Sequence, residues 1–388
     1  MTGLIKKKNQ PVVHFPAELE NEKQTGKLYG YYVESTNHYN IISIIINDIN
    51  KPQSEIGEVF KEKSSQILCG KLMGYYENDI LQFVDYEGVT CKKEPYSLKQ
   101  DIFSRNTGIL ESDIMIKTGA MLIGCGSVGS LVALELARAG VSRFLLIDND
   151  IFGYHNICRH QCGIYDVGKY KTEATKERIL QINPTAKVIV QNMIVQDVPI
   201  AVFENFCDNN TIVIGGADNR EGDLYANQIA KEAGMPLMSI GCWERAFAGE
   251  IFYCLPENMP DYSDFVWAIG DTSGRTTQNR RFYTNEEDLE KVAFEPGISA
   301  DINFVTIIAV KLALDILNRH NPDYTPRLIE HLSQYTLVCN TNKTKIGGEN
   351  AEIFSYPLQI TTSIEVPYAP QKEKNKLLRE LKQDFSLF

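Results

Sequence analysis

The residues best suited to chemistry lie between positions 105 and 242 of the 388-residue chain. Gly124-Cys125-Gly126-Ser127-Val128-Gly129 reads G-x-G-x-x-G, after the apolar run AMLIGCG (120–126) and before the helical pattern SLVALELARAG (130–140). Between a buried strand and a helix, glycines permit a tight turn. They also let backbone N–H groups approach a phosphate at the helix N-terminus. Asp148 ends the next apolar strand, RFLLIDND (143–150), where a carboxylate can accept hydrogen bonds from ribose hydroxyls. A nicotinamide dehydrogenase would share all of this. Arg159 and Lys171 then add positive charge near the phosphate end. Hydride transfer does not need them. A triphosphate does, because guanidinium forks and ammonium charges neutralise phosphoryl oxygens. A further strand, TIVIGGADN (211–219), carries Asp218 at its end, facing the glycine loop and suited to hold Mg²⁺.

Two other readings stay open at this stage. A nicotinamide-dependent oxidoreductase accounts for Gly124–Gly129 and Asp148 but leaves Arg159, Lys171 and Asp218 unused. A nucleotide-binding scaffold without turnover must explain why Asp148, Arg159, Lys171 and Asp218 are all present.

Positioning these groups requires alternating strands and helices. TEATKERILQIN (172–183) and DLYANQIAKEAG (223–234) read as helices, and KVIVQNM (187–193), PLMSIG (236–241) and GEIFYCLP (249–256) as strands. The alternation predicts an α/β fold with a doubly wound, mostly parallel, Rossmann-like sheet. The polar stretch 257–296 is too long for an ordinary connection and is read as a crossover loop, either a mobile segment or a lid over an acceptor's tail. DINFVTIIAVKLALDILN (301–318) predicts an apolar helix, and 368–388 a charged, loosely packed tail. Residues 1–98 predict a smaller α/β module, with strands at 28–33, 40–47, 71–76 and 80–86 and a helix at 54–64. The charged, proline-containing tract KKEPYSLKQ (92–100) marks the boundary with a main domain over 99–367.

Composition narrows the class. With 39 Lys+Arg against 50 Asp+Glu the net charge is −11, which argues against a generically basic nucleic-acid binder. No stretch approaches the roughly 20 apolar residues of a membrane span. The N-terminal MTGLIKKKNQPVV has no apolar run after its lysines and is not read as a secretory signal. Nine cysteines without a C-x-x-C pair fit free thiols in a reducing, cytoplasmic setting.

The run G-x-G-x-x-G, D-N-D (148–150), N-x-x-R-H (156–160), G-x-x-K (168–171) and A-D-N (217–219) resembles the ThiF/MoeB/ubiquitin-activating superfamily of adenylyltransferases. The match covers about residues 100–256, and more loosely 295–318. The resemblance implies ATP between Gly124, Gly126, Ser127 and Gly129, with Asp148 on the ribose and Asp150 beside it. It implies Asn156, Arg159 and Lys171 on the phosphates, Gln161 nearby, and Asp218, followed by Asn219, on Mg²⁺. Arg105, in Asp101-Ile-Phe-Ser-Arg-Asn106, resembles an arginine that reaches into a partner subunit's ATP site, so a homodimer is implied. The implied reaction is adenylation of the C-terminal carboxylate of a small ubiquitin-like protein, or of a peptide, in a bacterial conjugation or related modification pathway. A conjugating enzyme is a further implied partner.

The sequence departs from the family in two places. Many relatives bind structural zinc through two C-x-x-C pairs, but here Asp261-Tyr-Ser-Asp264 and 366–372 (VPYAPQK) hold no cysteine, so no zinc is expected. The crossover loop has no cysteine for thioester transfer, which leaves Cys242, at a strand end, as the candidate thiol. The N-terminal module is loosely compatible with a degenerate JAB-like sheet or a partner-binding module. His14 and His38, far apart in sequence, are read as loop residues.

Overall fold

The structure is a computed structural model describing residues 10–44, 54–63, 70–97, 101–216, 220–256, 258–270 and 296–385. It divides into two compact units, Met1–Arg105 and Asn106–Phe388. The junction therefore falls seven residues beyond the expected limit at 98.

The first unit contains β1 (Val12–Pro16), α1 (Ala17–Asn21), β2 (Gly26–Val33), β3 (His38–Ile44), β4 (Ser54–Phe60), β5 (Leu72–Glu77), β6 (Ile80–Val84) and β7 (Lys92–Tyr96). They form a mixed seven-stranded sheet in the order β6-β5-β4-β2-β3-β1-β7. Val13, Phe15, Leu28, Ile41, Val59, Leu72 and Phe83 form its core. Three expectations are corrected. The helix expected over 54–64 is strand β4, antiparallel to β2 and parallel to β5. Its inward positions are Gly57 and Val59, and a glycine on the buried face hides the alternation. The supposed linker at 92–100 contributes β7, which pairs parallel with β1 at the sheet edge. Pro95 and two lysines suit an edge strand, where a missing N–H costs no ladder bond and charge discourages further pairing. His14 and His38 stand on the neighbouring strands β1 and β3, not on loops. Their rings stack at 5.2 Å, and Glu94 of β7 lies 3.3 Å from His14 Nδ1.

The second unit follows the predicted alternation. After the short α2 (Ser112–Met115) come β8 (Gly119–Ile123), α3 (Ser127–Arg138), β9 (Arg143–Ile147), α4 (Lys171–Ile182) and β10 (Lys187–Gln191). Next are α5 (Ile200–Phe206), β11 (Thr211–Gly215), α6 (Arg220–Glu232), β12 (Leu237–Cys242) and β13 (Ala248–Cys254). The unit ends with α7 (Tyr262–Ile269), α8 (Ser299–Leu317), β14 (Tyr335–Cys339), β15 (Ile360–Ile364) and a C-terminal helix, Gln371–Phe385. The eight-stranded order is β10-β9-β8-β11-β12-β13-β14-β15, parallel from β10 to β12 and antiparallel beyond. Alternate residues of each central strand face opposite cores. Ala120, Leu122, Ile212 and Ile214 meet α3 and α8, while Met121, Ile123 and Val213 join Leu224, Phe252 and Phe265 on the other face.

Within the crossover stretch, α7 is a helix, and residues 271–281, read as a mobile loop or a lid, lie outside the described residues. The C-terminal segment is not a loose tail. Its helix is strongly amphipathic, Leu377 packs on the second core, and Lys374 Nζ pairs with Asp261 Oδ2 (3.1 Å) and Asp264 Oδ2 (2.7 Å).

Candidate functional site

The chain leaves β8 for β9 and β10 on one side, then returns to β11 on the other. That reversal opens a crevice at the carboxyl ends of β8 and β11, where doubly wound sheets bind ligands. A cavity of about 300 Å³ occupies it. Of the residues singled out by sequence, Gly124, Gly126, Asp148, Asp150 and Lys171 line it together.

The glycine loop is shaped by close approach. Gly124 has φ +96°, a left-handed conformation that favours glycine, and its N–H donates to the Ile147 carbonyl (2.8 Å). A Cβ on Gly129 would lie 1.9 Å from the Gly124 carbonyl oxygen, so only glycine lets α3 start so near the loop. Gly126 precedes α3 and provides no side-chain cap, while half-buried Ser127 is the first helical residue. The first N–H groups of α3 thus have no side-chain cap, as an anion site at a helix N-terminus requires.

Asp148 is held by backbone donors. The Cys125 N–H donates to Oδ2 (2.6 Å) and the Asp150 N–H to Oδ1 (2.8 Å). Burial raises its pKa above the ordinary aspartate value, against the pull of these two N–H groups and of Lys171. Each oxygen keeps a lone pair for a further donor such as a ribose hydroxyl.

Lys171 opens α4, far along the chain from Asp150, yet the two are adjacent. The bridge Ile151–Tyr170 closes the intervening loop, and the Lys171 N–H donates to the Asp150 carbonyl (2.9 Å). Lys171 Nζ sits 2.6 Å from Asp150 Oδ2, with its side chain 12% exposed against 60% for Asp150. The ammonium is therefore fixed at the cavity wall by a solvated partner that a phosphate could displace.

Asn156, Arg159 and Gln161 belong to that loop and are not among the residues lining the cavity. Asn156 is buried, and its Oδ1 accepts the Gly153 N–H (2.8 Å), so its amide builds the loop itself. Arg159 and Gln161 are half-buried. Arg105 is exposed on the turn Ser104–Asn106, at the end of the first unit. Asp218 and Asn219 lie outside the described residues, though Gly216 and Gly222 on either side line the cavity. Sequence reasoning missed Met193, Ile194, Val195 and Gln196, which form the wall beyond β10. Their signal was position alone: they follow a strand's carboxyl end, the edge at which such sheets bind.

None of the eight described cysteines forms a disulfide. Burial pushes the thiols of Cys162 and Cys254 up to about 12 and that of Cys207 to about 11. Cys242 is a half-buried thiol at the end of β12.

The two places where the resemblance expects zinc thiolates do not fit the metal. Asp261 caps α7, accepting the N–H groups of Ser263 (2.9 Å) and Asp264 (3.2 Å), and also pairs with Lys231 (3.0 Å). The Ala369 N–H donates to Asp264 Oδ1 (2.8 Å), so the two segments are joined directly. Their carboxylates are committed to lysines and backbone donors. Among the described residues, no cluster of three or more His, Cys, Asp or Glu is arranged to hold a metal, and no helix is long and apolar enough to cross a membrane.

Several known proteins share this core. The ubiquitin-like modifier-activating enzyme 5 of Oryza sativa subsp. japonica is 28% identical over 185 residues, covering 44% of this chain and 43% of the relative. A probable molybdopterin-synthase adenylyltransferase of Porphyra purpurea is 29% identical over 161 residues, 40% of each chain. The chain thus spans under half the length of these curated relatives. A crystal structure of E. coli MccB with succinimide shares the fold, with a TM-score of 0.50 and 17% identity over 71% of this chain and 74% of that one. The family model described as "ThiF family" matches residues 111–345, more than half of the sequence and the whole of the cavity's lining, and the chain belongs to the ThiF family.

Proposed function

We propose that the chain binds ATP at the glycine loop and adenylates the C-terminal carboxylate of a small ubiquitin-like protein or peptide. The observation that carries this reading is the meeting of Gly124, Gly126, Asp148 and Lys171 in one cavity at the sheet's switch point, in a chain of the ThiF family. The names of the matched relatives, a modifier-activating enzyme and an adenylyltransferase, support the same chemistry.

In this reading the uncapped N-terminus of α3 and Lys171 receive the phosphates, and Asp148 receives the ribose. Met193, Ile194 and Val195 offer an apolar wall to the base. Arg159, on the same loop as Asn156, is proposed to add positive charge to the phosphates. Asp218 would hold Mg²⁺, a hard cation suited to carboxylate oxygens; when bound, the metal would offset phosphate charge. An oxygen of the acceptor carboxylate attacks the α-phosphorus. The new carboxylate–phosphorus bond forms as the bond to the bridging oxygen breaks, and pyrophosphate leaves with its electron pair. No protein nucleophile is consumed, so catalysis is positioning and electrostatics. Arg105 is proposed to act in the site of a second copy, making the active species a homodimer, and Cys242 is the thiol for any later thioester.

The test is ATP–pyrophosphate exchange with a candidate acceptor ending in a free glycine. Exchange should require the acceptor and fall at least about a hundredfold in Arg159→Ala and Asp218→Asn, the loss of a charged transition-state contact. Preference for NAD(H) over ATP·Mg²⁺ in a binding titration would overturn the reading in favour of an oxidoreductase.

A further inference from the structure

The loop between β9 and α4 and the glycine loop are separate in sequence, yet one side chain bolts them together. His160 is buried, and both of its ring nitrogens are engaged. The Cys162 N–H donates to Nδ1 (3.1 Å), so Nδ1 is unprotonated and Nε2 carries the hydrogen. Nε2 then donates to the Cys125 carbonyl (2.7 Å). The ring meets Phe152 edge-on, with centroids 4.9 Å apart, which fixes its orientation.

The consequence lies at Cys125, the residue between Gly124 and Gly126. Its N–H is taken by Asp148 and its carbonyl by His160. With both polar groups anchored, the two peptide planes around Cys125 cannot rotate freely, although glycines flank it on both sides. A loop meant to present N–H groups to phosphate gains from such restraint, because its ordering cost is met before the ligand arrives.

We propose that His160 is a positioning residue that locks the glycine loop in the phosphate-receiving geometry. It touches neither substrate nor reacting atoms. This rests on the ATP-binding reading above.

The experiment compares ATP·Mg²⁺ affinity in the wild-type chain, His160→Gln and His160→Leu, with circular dichroism as the fold control. A glutamine amide reproduces the Nε2 donor, whereas leucine fills the space without it. His160→Leu should bind ATP at least tenfold more weakly, and His160→Gln should recover to within about threefold of wild type. Equal affinity of wild type and His160→Leu overturns the proposal, as does a glutamine variant as weak as the leucine one. Should the leucine variant fail to fold, the wild-type ring decides through ¹⁵N imidazole shifts. Protonation at Nε2 with Nδ1 bare supports the lock, and the opposite tautomer overturns it. A wild-type chain that binds no ATP fails the ATP reading itself, whatever the histidine does.

Discussion

At the scale of single residues, the site sorts into groups aimed at a ligand and groups that hold them. Lys171 is of the first kind: a largely buried ammonium whose only described ion-pair partner, Asp150, is mostly solvated. A pair whose carboxylate is mostly solvated adds little stability, while a desolvated charged contact to phosphate is worth about 1.5–3 kcal/mol. Lys171→Ala should therefore weaken ATP binding by about 10- to 150-fold with little change in melting temperature, read by calorimetric titration beside a thermal melt. A large loss of stability with unchanged affinity would instead make Lys171 a structural residue. His160 is of the second kind and leaves a pH signature. Burial pushes its pKa down to about 4 from an ordinary 6.5, so the folded state keeps the ring neutral where the unfolded chain takes up a proton. Its stability contribution is fully present above pH 6.5 and is lost as pH falls toward 4, a swing of about 3 kcal/mol at 1.36 kcal/mol per unit. Urea unfolding at pH 7.5 and 4.5 should show this decrement in the wild type and a smaller one in His160→Gln. Equal decrements would mean that the ring is solvated. Spacing and charge mark Gly124, Gly126, Asp148, Asp150 and Lys171 in the sequence, and the fold gathers these five at one cavity. His160 is marked in the sequence only as a neighbour of Arg159, because its partner, the Cys125 carbonyl, is brought near only by the folded loop.

At the scale of elements, legibility followed the way each element is buried. The core strands β8, β9 and β11 are covered on both faces and read as unbroken apolar runs, and α4 and α6 have one apolar stripe each. The first unit defeated the same reasoning. Gly57 is on the buried face of β4 because a Cβ would come within 2.2 Å of the Leu72 carbonyl oxygen, so close strand approach removed the residue that would have signalled a strand. β7 is an edge strand made of lysines, glutamate and proline, and only its pairing with β1 identifies it. The C-terminal helix was hidden by its charge, yet that charge docks it. Burial alone would raise the pKa of Asp261, but the Ser263 hydroxyl, Lys231 and Lys374 hold it well below the usual carboxylate range. Asp264, whose side chain is 1% exposed, also relies on Lys374. Lys374→Ala leaves a buried carboxylate short of its cation and should lower unfolding free energy by about 3 kcal/mol. Lys374→Arg should restore part of it, and a melting-temperature series on the two variants gives the answer. The depressed pKa also sets the sign with pH: this stabilisation holds above the ordinary aspartate pKa and disappears as the medium is acidified below it. An alanine variant as stable as wild type would show that the helix is docked by Leu377 and its neighbours alone.

At the scale of the whole molecule, the two units are built as separate folding problems. Every buried residue of the first unit's main core lies between Val13 and Cys91, and the two cores of the second unit run from Leu110 to Phe354. Among the described residues, each core cluster lies within a single unit. The residues lining the cavity all fall between Ile123 and Gly222, inside the second unit. A chain of about 280 residues with two sheet faces covered by helices buries enough apolar surface to fold unaided. A fragment of residues 106–388 should then be folded by circular dichroism, unfold cooperatively, and bind ATP·Mg²⁺ within about threefold of the full chain, since no cavity-lining group has been removed. Exchange of pyrophosphate is a different matter, because Arg105 goes with the first unit. If that arginine serves the reaction, the fragment keeps its affinity for ATP but loses acceptor-dependent exchange, and Arg105→Ala in the full chain reproduces the loss. Should the fragment exchange at the full rate, Arg105 has no part in the chemistry and the first unit must be assigned to something other than activation.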